Sequence, residues 1–203
     1  IDVVSSATTR GDIAWFENDG TPNNDDWTKH DIDTSFLQAR NVDVVDIDND
    51  GDLDVLGVAN TGDELAWWEN TAIFALSPTW TTYSINASAD GASEVFVADI
   101  DGDGDKDVVA AIHFDNQVEW YENDGAAYPS WPAGDIARGA NRAAEVHVAD
   151  MDGDGDLDIV SASHHDDTIA WYENDGAADP SWTAADIAIS ADSALDIYVA
   201  DMD

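Results

Sequence analysis

Short apolar stretches recur along the chain with polar turns between them, and the clearest unit contains four. Residues 145–149 (EVHVA) alternate apolar and polar positions and predict a half-buried strand, and residues 157–163 (LDIVSAS) predict a second. Residues 168–173 (TIAWYE) are apolar on both faces, which predicts a third strand that is covered on both sides. A short fourth strand is predicted at residues 185–189. Because no segment keeps a helical period, the unit is predicted to be all-β.

This unit occurs four times. Three landmarks recur at intervals of 51 to 53 residues, namely the first aspartate of an acidic loop, a tryptophan within the third strand and a tryptophan before the fourth. The three series are Asp46, Asp99, Asp150 and Asp201; Trp15, Trp67, Trp120 and Trp171; and Trp27, Trp80, Trp131 and Trp182. Four-stranded antiparallel units of this length predict the blades of a β-propeller. We therefore expect one repeat domain over residues 1–203.

The repeat is cut at the two ends of the chain, which starts on the second strand of one unit and finishes on the first strand of another. If the ring closes, we expect residues 194–200 to complete the blade that residues 1–19 begin, which would leave no open sheet edge. Three alternatives stay open at this point. The split blade closes four blades within one chain, joins a second copy into a larger ring, or belongs to a longer array.

Three acidic loops, residues 46–54, 99–107 and 150–158, have an aspartate at every second position and a glycine at the sixth. Carboxylates at positions 1, 3 and 5 of such a loop can point inward, and glycine permits the sharp turn. A backbone carbonyl at position 7 and a carboxylate at position 9 complete an all-oxygen shell that suits Ca²⁺ better than Mg²⁺. The predicted side-chain ligands are Asp46, Asp48, Asp50, Asp54, Asp99, Asp101, Asp103, Asp107, Asp150, Asp152, Asp154 and Asp158. The predicted carbonyl ligands belong to Asp52, Asp105 and Asp156, and a fourth loop split between the termini would use Asp201, Asp203 and Asp2.

The charge of the chain limits the classes of partner that it can bind. There are 45 acidic residues against six Lys and Arg, so the formal net charge is −39. Such a polyanion repels nucleic acid and anionic membranes, and bound divalent cations would offset part of the repulsion. The absence of cysteine excludes disulfides, thiolate metal sites and a cysteine nucleophile. Because calcium loops of this kind need the calcium levels found outside cells, we expect a secreted or cell-surface protein.

The loop pattern DxDxDGxxD between two strands, repeated at this period over essentially the whole chain, resembles FG-GAP/VCBS repeats. These repeats build the propellers of integrin α-subunits and occur in many secreted bacterial proteins. VFVAD stands where the integrin form has FG, and the strand and turn WYENDG are closer to the bacterial VCBS type. The resemblance implies calcium in the loops, a propeller usually of more than four blades, and a role in adhesion, glycan binding or scaffolding.

The few cationic side chains gather on one predicted face. Strand polarity places the acidic loops and the NDG turns at one face, and the hairpins between second and third strands at the other, together with the connectors between repeats. The candidates on this second face are Arg10, Arg40, Arg138, Arg142, His113, His164 and His165. They predict either a ligand face for an anionic polysaccharide or local pairing with acids such as Glu94 and Glu145.

We expect a non-catalytic module for binding, adhesion or assembly, in which calcium is structural and the partner is a glycan or an extracellular protein. An enzyme such as a polysaccharide lyase or hydrolase is the first alternative. It would need ionisable residues that break the repeat, for which the pair His164 and His165 is the visible candidate. A segment of an extracellular filament or surface layer, joined by self-association through the split blade, is the second alternative. The tryptophan series favour core packing over sugar stacking.

Overall fold

The computed structural model describes residues 1–21, 27–71 and 78–202, and these residues form fifteen β-strands. The strands are β1 (Val3–Ala7), β2 (Asp12–Glu17), β3 (Thr28–Asp33), β4 (Ala39–Val45), β5 (Asp54–Ala59), β6 (Glu64–Asn70), β7 (Trp80–Asn86), β8 (Ala92–Ala98), β9 (Asp107–Ile112), β10 (Gln117–Tyr121), β11 (Ala133–Arg138), β12 (Ala143–Ala149), β13 (Asp158–Ser163), β14 (Thr168–Asn174) and β15 (Trp182–Ala188). Within these described ranges, no helix is long and apolar enough to cross a membrane.

The strands form four antiparallel sheets, each a simple meander. Blade 2 is β4–β7, blade 3 is β8–β11 and blade 4 is β12–β15, while blade 1 contains the three strands β1–β3. The prediction of an all-β propeller built from four-stranded antiparallel blades is confirmed. The predicted fourth strand at 185–189 was placed too late, because β15 begins at Trp182, which pairs with Asn174 of β14.

The core lies between consecutive blades and explains why the third strands are apolar on both faces. Adjacent residues of β6 point to opposite neighbours: Trp67 packs with Val95 of blade 3, whereas Trp68 packs with Ile13 of blade 1. Both indoles are at most 1% exposed. Truncating such a side chain to alanine typically costs about 3–5 kcal/mol of folding free energy. Each blade therefore depends on its neighbours for burial of its two faces.

The split blade is the place where the described residues do not complete the repeat. Residues 194–200 form no strand, and β1 pairs with β2 alone. The segment does reach the central axis, where Asp196 and Tyr198 line a cavity of about 320 Å³ together with Asn41 and Glu94. The ring is thus not closed by strand pairing within the described residues, and Tyr198 is 83% exposed.

Candidate metal centres and the opposite face

The backbone of each acidic loop turns its carboxylates toward one point. In the first loop, the amide of Asp50 donates to Asp48 Oδ1 (3.2 Å), and that of Asp52 donates to Asp50 Oδ1 (2.9 Å). Gly51, with φ of 99°, donates its amide to Asp46 Oδ2 at 3.0 Å. The same bonds from the amides of positions 5 and 7 recur in the other two loops. One oxygen of each carboxylate is thereby fixed by the loop itself.

Three groups of aspartates bring ligand atoms within 4.8 Å of one another: Asp46, Asp48 and Asp50; Asp99, Asp101 and Asp103; and Asp150, Asp152 and Asp158. Oδ1 of Asp46 and Oδ1 of Asp99 are buried and have no hydrogen-bond partner in the described part of the chain. A buried carboxylate oxygen without a donor is costly, and several such oxygens around one point suit a hard cation. The residues present therefore fit a calcium ion.

The carboxylates at position 9 also hold the loop to the rest of its blade. Asp107 accepts the amide of Ile100 on Oδ2 (3.0 Å) and the amide of Asn123 on Oδ1 (2.8 Å). Asp54 and Asp158 make the same pair of bonds. Burial raises the pKa of both Asp54 and Asp107 to about 6, although the backbone donors oppose this shift. Asp54, Asp107 and Asp154 lie outside the converging groups. The role of metal ligand stays a prediction for all of the loop aspartates.

An asparagine at the end of the third strand connects neighbouring blades, a role that the sequence reasoning missed. Asn123 Nδ2 donates to the carbonyl oxygen of Ile47 in the loop of blade 2 (2.9 Å) and to that of Lys106 in its own blade (3.0 Å). Asn174 makes the equivalent bonds to blades 3 and 4. The signal was the EN pair that follows the tryptophan of each third strand, to which the sequence reasoning gave no role. We call Asn123 and Asn174 the bridging asparagines.

The carboxylates at position 7, whose carbonyls were the predicted ligands, lie over the NDG turns. A Cβ on Gly125 would stand 2.1 Å from Asp105 Oδ2, and one on Gly176 would stand 2.1 Å from Asp156 Oδ2. Only glycine permits this approach, and both glycines also have a positive φ. Asp105 further accepts a 2.8 Å bond from Asn49 Nδ2 of the preceding loop. The loops of blades 3 and 4 thus lie against their turns, and the loop of blade 2 is hydrogen-bonded to that of blade 3.

Half of the predicted split loop can be located. Asp2 Oδ1 accepts the amide of Asn18 at 2.8 Å, and Asn18 Nδ2 donates to the carbonyl oxygen of Ile1 at 3.0 Å. These bonds match those of a position-9 aspartate and the asparagine of its blade. Asp201 is exposed, and Asp203 lies outside the described residues. The fourth calcium site stays a prediction.

On the opposite face, which we call the hairpin face, four of the seven predicted cationic residues lie near one another. The amide of His164 donates to the carbonyl oxygen of Arg142 at 3.1 Å. Burial lowers the pKa of His113, and the nearby charges of Arg142 and Arg40 lower it further. Nδ1 of both His113 and His164 is buried without a hydrogen-bond partner among the described residues. We call Arg40, Arg142, His113 and His164 the basic cluster.

The other three predicted residues have separate surroundings. Arg138 forms an ion pair with Asp135 of the same strand. His165 Nδ1 lies 3.2 Å from Asn141 Nδ2, and Arg10 is exposed in the hairpin between β1 and β2. The role of these residues as a ligand face stays a prediction, and the sequence did not separate the cluster from its surroundings.

The axial cavity contains a second set of acids. Asn41 Nδ2 donates to Glu94 Oε1 at 2.6 Å. Burial, and next the charge of Glu145, raises the pKa of Glu94 to about 8, and Arg40 opposes this shift. Burial and the charge of Asp196 raise the pKa of Glu145 to about 7. No ion pair of Glu94 or Glu145 with an arginine is found in the described ranges.

The fold and the loops together define a β-propeller of repeats with acidic loops between their first and second strands. The family model described as an FG-GAP-like repeat matches residues 1–57, 46–110, 99–161 and 150–203. The chain belongs to this FG-GAP-like repeat family. No curated protein matches it.

Among solved structures, the chain is similar to a lectin from Agrocybe aegerita, described as specifically recognising non-reducing terminal N-acetylglucosamine. The two share 18% sequence identity with a TM-score of 0.55, over 93% of this chain and 52% of the lectin chain. The chain thus spans about half the length of that structure, and at this identity the likeness shows a common propeller fold.

Proposed function

We propose that the chain is a non-catalytic carbohydrate-binding propeller that works outside the cell and is stabilised by calcium in its acidic loops. The observation that carries the calcium assignment is the convergence of the loop carboxylates around buried, unpartnered oxygens of Asp46 and Asp99. The binding role is supported by the family, whose repeats form a propeller, and by the likeness to a lectin. Both also favour a binding module over an enzyme.

Calcium would be held by positions 1, 3 and 5 of the first two loops and by positions 1, 3 and 9 of the third. A divalent ion would supply the positive charge that these carboxylates lack and would join the first and second strands of a blade. The bridging asparagines would transmit the order of one loop to the next blade. The calcium concentration outside the cell would be high enough for these loops to bind the ion.

The basic cluster is the surface that we propose for an anionic polysaccharide. Arginine forks suit carboxylate and sulfate groups, and the side chains of Arg40 and Arg142 are exposed. The rest of this acidic chain would repel the same ligand. Added salt would screen this repulsion as well as the attraction of the arginines, so binding at the cluster should depend only weakly on salt.

A glycan array in the presence of calcium tests the proposal. The array should include neutral, N-acetylglucosamine-terminated, uronate and sulfated glycans, and mass spectrometry of the bound glycans should find them uncleaved. We expect at least one class to bind, with loss of binding in EDTA where the loops lose order. An array with no bound glycan would contradict the binding role, and cleaved products would favour the enzyme alternative.

Assembly through the split blade is a second candidate role, favoured by one observation. Blade 1 has three strands, and residues 194–200 reach the axis without pairing to β1. An open edge of this kind can accept a strand from another copy. The mass in solution with and without calcium tests it. A monomer under both conditions would argue against assembly.

A further inference from the structure

Each pair of consecutive blades forms an interface on the hairpin face from equivalent positions of the repeat. One position, at the end of the outer strand, is Asp33 in blade 1, Asn86 in blade 2 and Ala137 in blade 3. It faces an aromatic residue of the next blade. That residue is Trp68 in the first interface, Tyr121 in the second and Tyr172 in the third.

In the first two interfaces, polar and aromatic side chains fill this space. Trp68 Nε1 donates to Asp33 Oδ2 at 3.2 Å, and the ring of Phe36 packs edge-on against Trp68 with centroids 4.8 Å apart. In the second interface, Asn86 Nδ2 donates to the Tyr121 hydroxyl at 2.8 Å. The hydroxyl in turn donates to Glu119 at 2.5 Å.

The third interface is the one, among the three between described blades, in which all of these places hold alanine. Ala137 stands where the other two interfaces have Asp33 and Asn86. Ala140 corresponds to Phe36 in the first interface and to Ala89 in the second, and Ala170 corresponds to Ala66 and to Glu119. The result is a cavity of about 400 Å³ in front of the Tyr172 hydroxyl, which lies 3.2 Å from Ser161 Oγ. This volume falls in the range of small-molecule sites, roughly 300–1,000 Å³.

The lining combines an apolar wall with hydrogen-bonding groups. The alanines at 137, 140 and 170 form the wall, and the side chains of Arg138, Ser163, Asp166, Thr168 and Asp186 line the same cavity. Burial raises the pKa of Tyr172, and the charges of Asp166 and Asp186 add to the shift, so both carboxylates act on the hydroxyl. A small-molecule site generally combines an apolar wall with a few polar groups, and carboxylates, a guanidinium and hydroxyls can bond to the hydroxyls of a polyol.

We propose that the cavity between blades 3 and 4 binds one neutral sugar residue, a hexose or an N-acetylhexosamine. Sugar hydroxyls would donate to Asp166 and Asp186 and accept from Arg138, while the alanine wall would contact ring C–H groups or an acetyl methyl. The two carboxylates would repel uronates and sulfated sugars, which sets this site apart from the basic cluster. The proposal rests on the proposed carbohydrate-binding function and names a site for it.

The chain itself supplies the test, since its second interface shows which side chains fill the space. The variant Ala137→Asn with Ala170→Glu copies Asn86 and Glu119 into the third interface and should fold. Titration with N-acetylglucosamine and with methyl glucoside, followed by NMR, should detect one site in the wild type and binding at least about tenfold weaker in the variant. Asn86→Ala, which alters the second interface, is the matched control and should leave this binding within about twofold.

A second variant keeps the test decisive if the variant with the filled cavity is destabilised and unfolds at a lower temperature than wild type. Arg138 is exposed, so Arg138→Ala should leave the melting temperature unchanged and weaken sugar binding severalfold. Neutral-sugar binding that survives in a folded filled variant would overturn the site but not the carbohydrate-binding role. A wild-type protein that binds only anionic glycans would also overturn the neutral-sugar site but not the carbohydrate-binding role. A wild type that binds no glycan at all would overturn both.

Discussion

The two faces of the propeller follow the repeat to different degrees. On the face that carries the acidic loops, the same hydrogen bonds recur from blade to blade, from the position-9 aspartates to the bridging asparagines. On the hairpin face, equivalent positions hold unrelated side chains, such as Asp33, Asn86 and Ala137. Bonds that repeat serve a requirement common to every blade, which is stability. Positions that diverge are available for a ligand.

The largest expected effect is the loss of calcium from the loop face. If each ion is bound at about 100 times its dissociation constant, it contributes roughly 2.7 kcal/mol, and three ions would shift the melting temperature by on the order of 20 °C. Differential scanning calorimetry in EDTA, and again after addition of Ca²⁺, measures the shift. Added Mg²⁺ is the control and should restore much less. An unchanged melt in EDTA would remove the structural role of calcium.

The bridging asparagines should show the next largest effect. Asn123→Ala leaves the buried carbonyl oxygens of Ile47 and Lys106 without their side-chain donor and should cost about 2–4 kcal/mol of unfolding free energy. Asn18→Ala is the matched control, because Asn18 makes its bonds in an exposed position of blade 1 and should cost about 1 kcal/mol or less. Equal losses in urea denaturation would contradict the view that these bonds join blades.

The axial acids should make a smaller, pH-dependent difference. The pKa of Glu94 is raised to about 8 in the folded protein from 4.5, so its contribution to stability is fully present below pH 4.5 and is lost as the pH rises through about 8. Glu94→Gln removes this loss and should raise the melting temperature at pH 9 by a few degrees, corresponding to roughly 1 kcal/mol after solvent screening.

Comparison of wild type and Glu94→Gln at each pH isolates this group from the acidic loops. The proposed binding of calcium would stabilise those loops in the opposite direction, as their carboxylates ionise. The difference between the two proteins should shrink toward pH 5. A difference that stays constant from pH 5 to pH 9 would show that Glu94 is not the titrating group.

The loop face was largely predictable from the sequence and the hairpin face was not. A strict spacing of aspartates around glycine determines where carboxylates point, so the loops at 46–54, 99–107 and 150–158 could be found without coordinates. The cross-blade bonds of Asn123 could not, because they depend on how far one blade is rotated from the next. The fourth strand of blade 4 was misplaced because the exposed residues of β15 carry little apolar pattern.

The cavity between blades 3 and 4 shows which information is missing when only the sequence is used to find a site. Ala137, Ala140 and Ala170 are unremarkable residues in a β-protein, and they gain meaning only when aligned with Asn86, Phe36 and Glu119. That alignment was available from the repeat, but Ala140 and Ala170 also align with Ala89 and Ala66, so only their meeting with Ala137 in one interface sets them apart. Absent side chains leave no motif, so a site made by small residues becomes visible only in three dimensions.

The smallest effect on stability, and the sharpest on binding, is expected for the basic cluster. Arg40→Glu with Arg142→Glu changes exposed side chains, so the unfolding free energy should stay within about 0.5 kcal/mol of wild type. Binding of a sulfated or uronate polysaccharide, measured by calorimetry at low salt, should be lost, because two arginine forks become two repelling carboxylates. Arg10→Glu on the same face is the control and should retain binding. If polysaccharide binding survives the double charge reversal, the basic cluster is not the binding site. The neutral-sugar cavity alone would then explain why the residues of the hairpin face differ between blades.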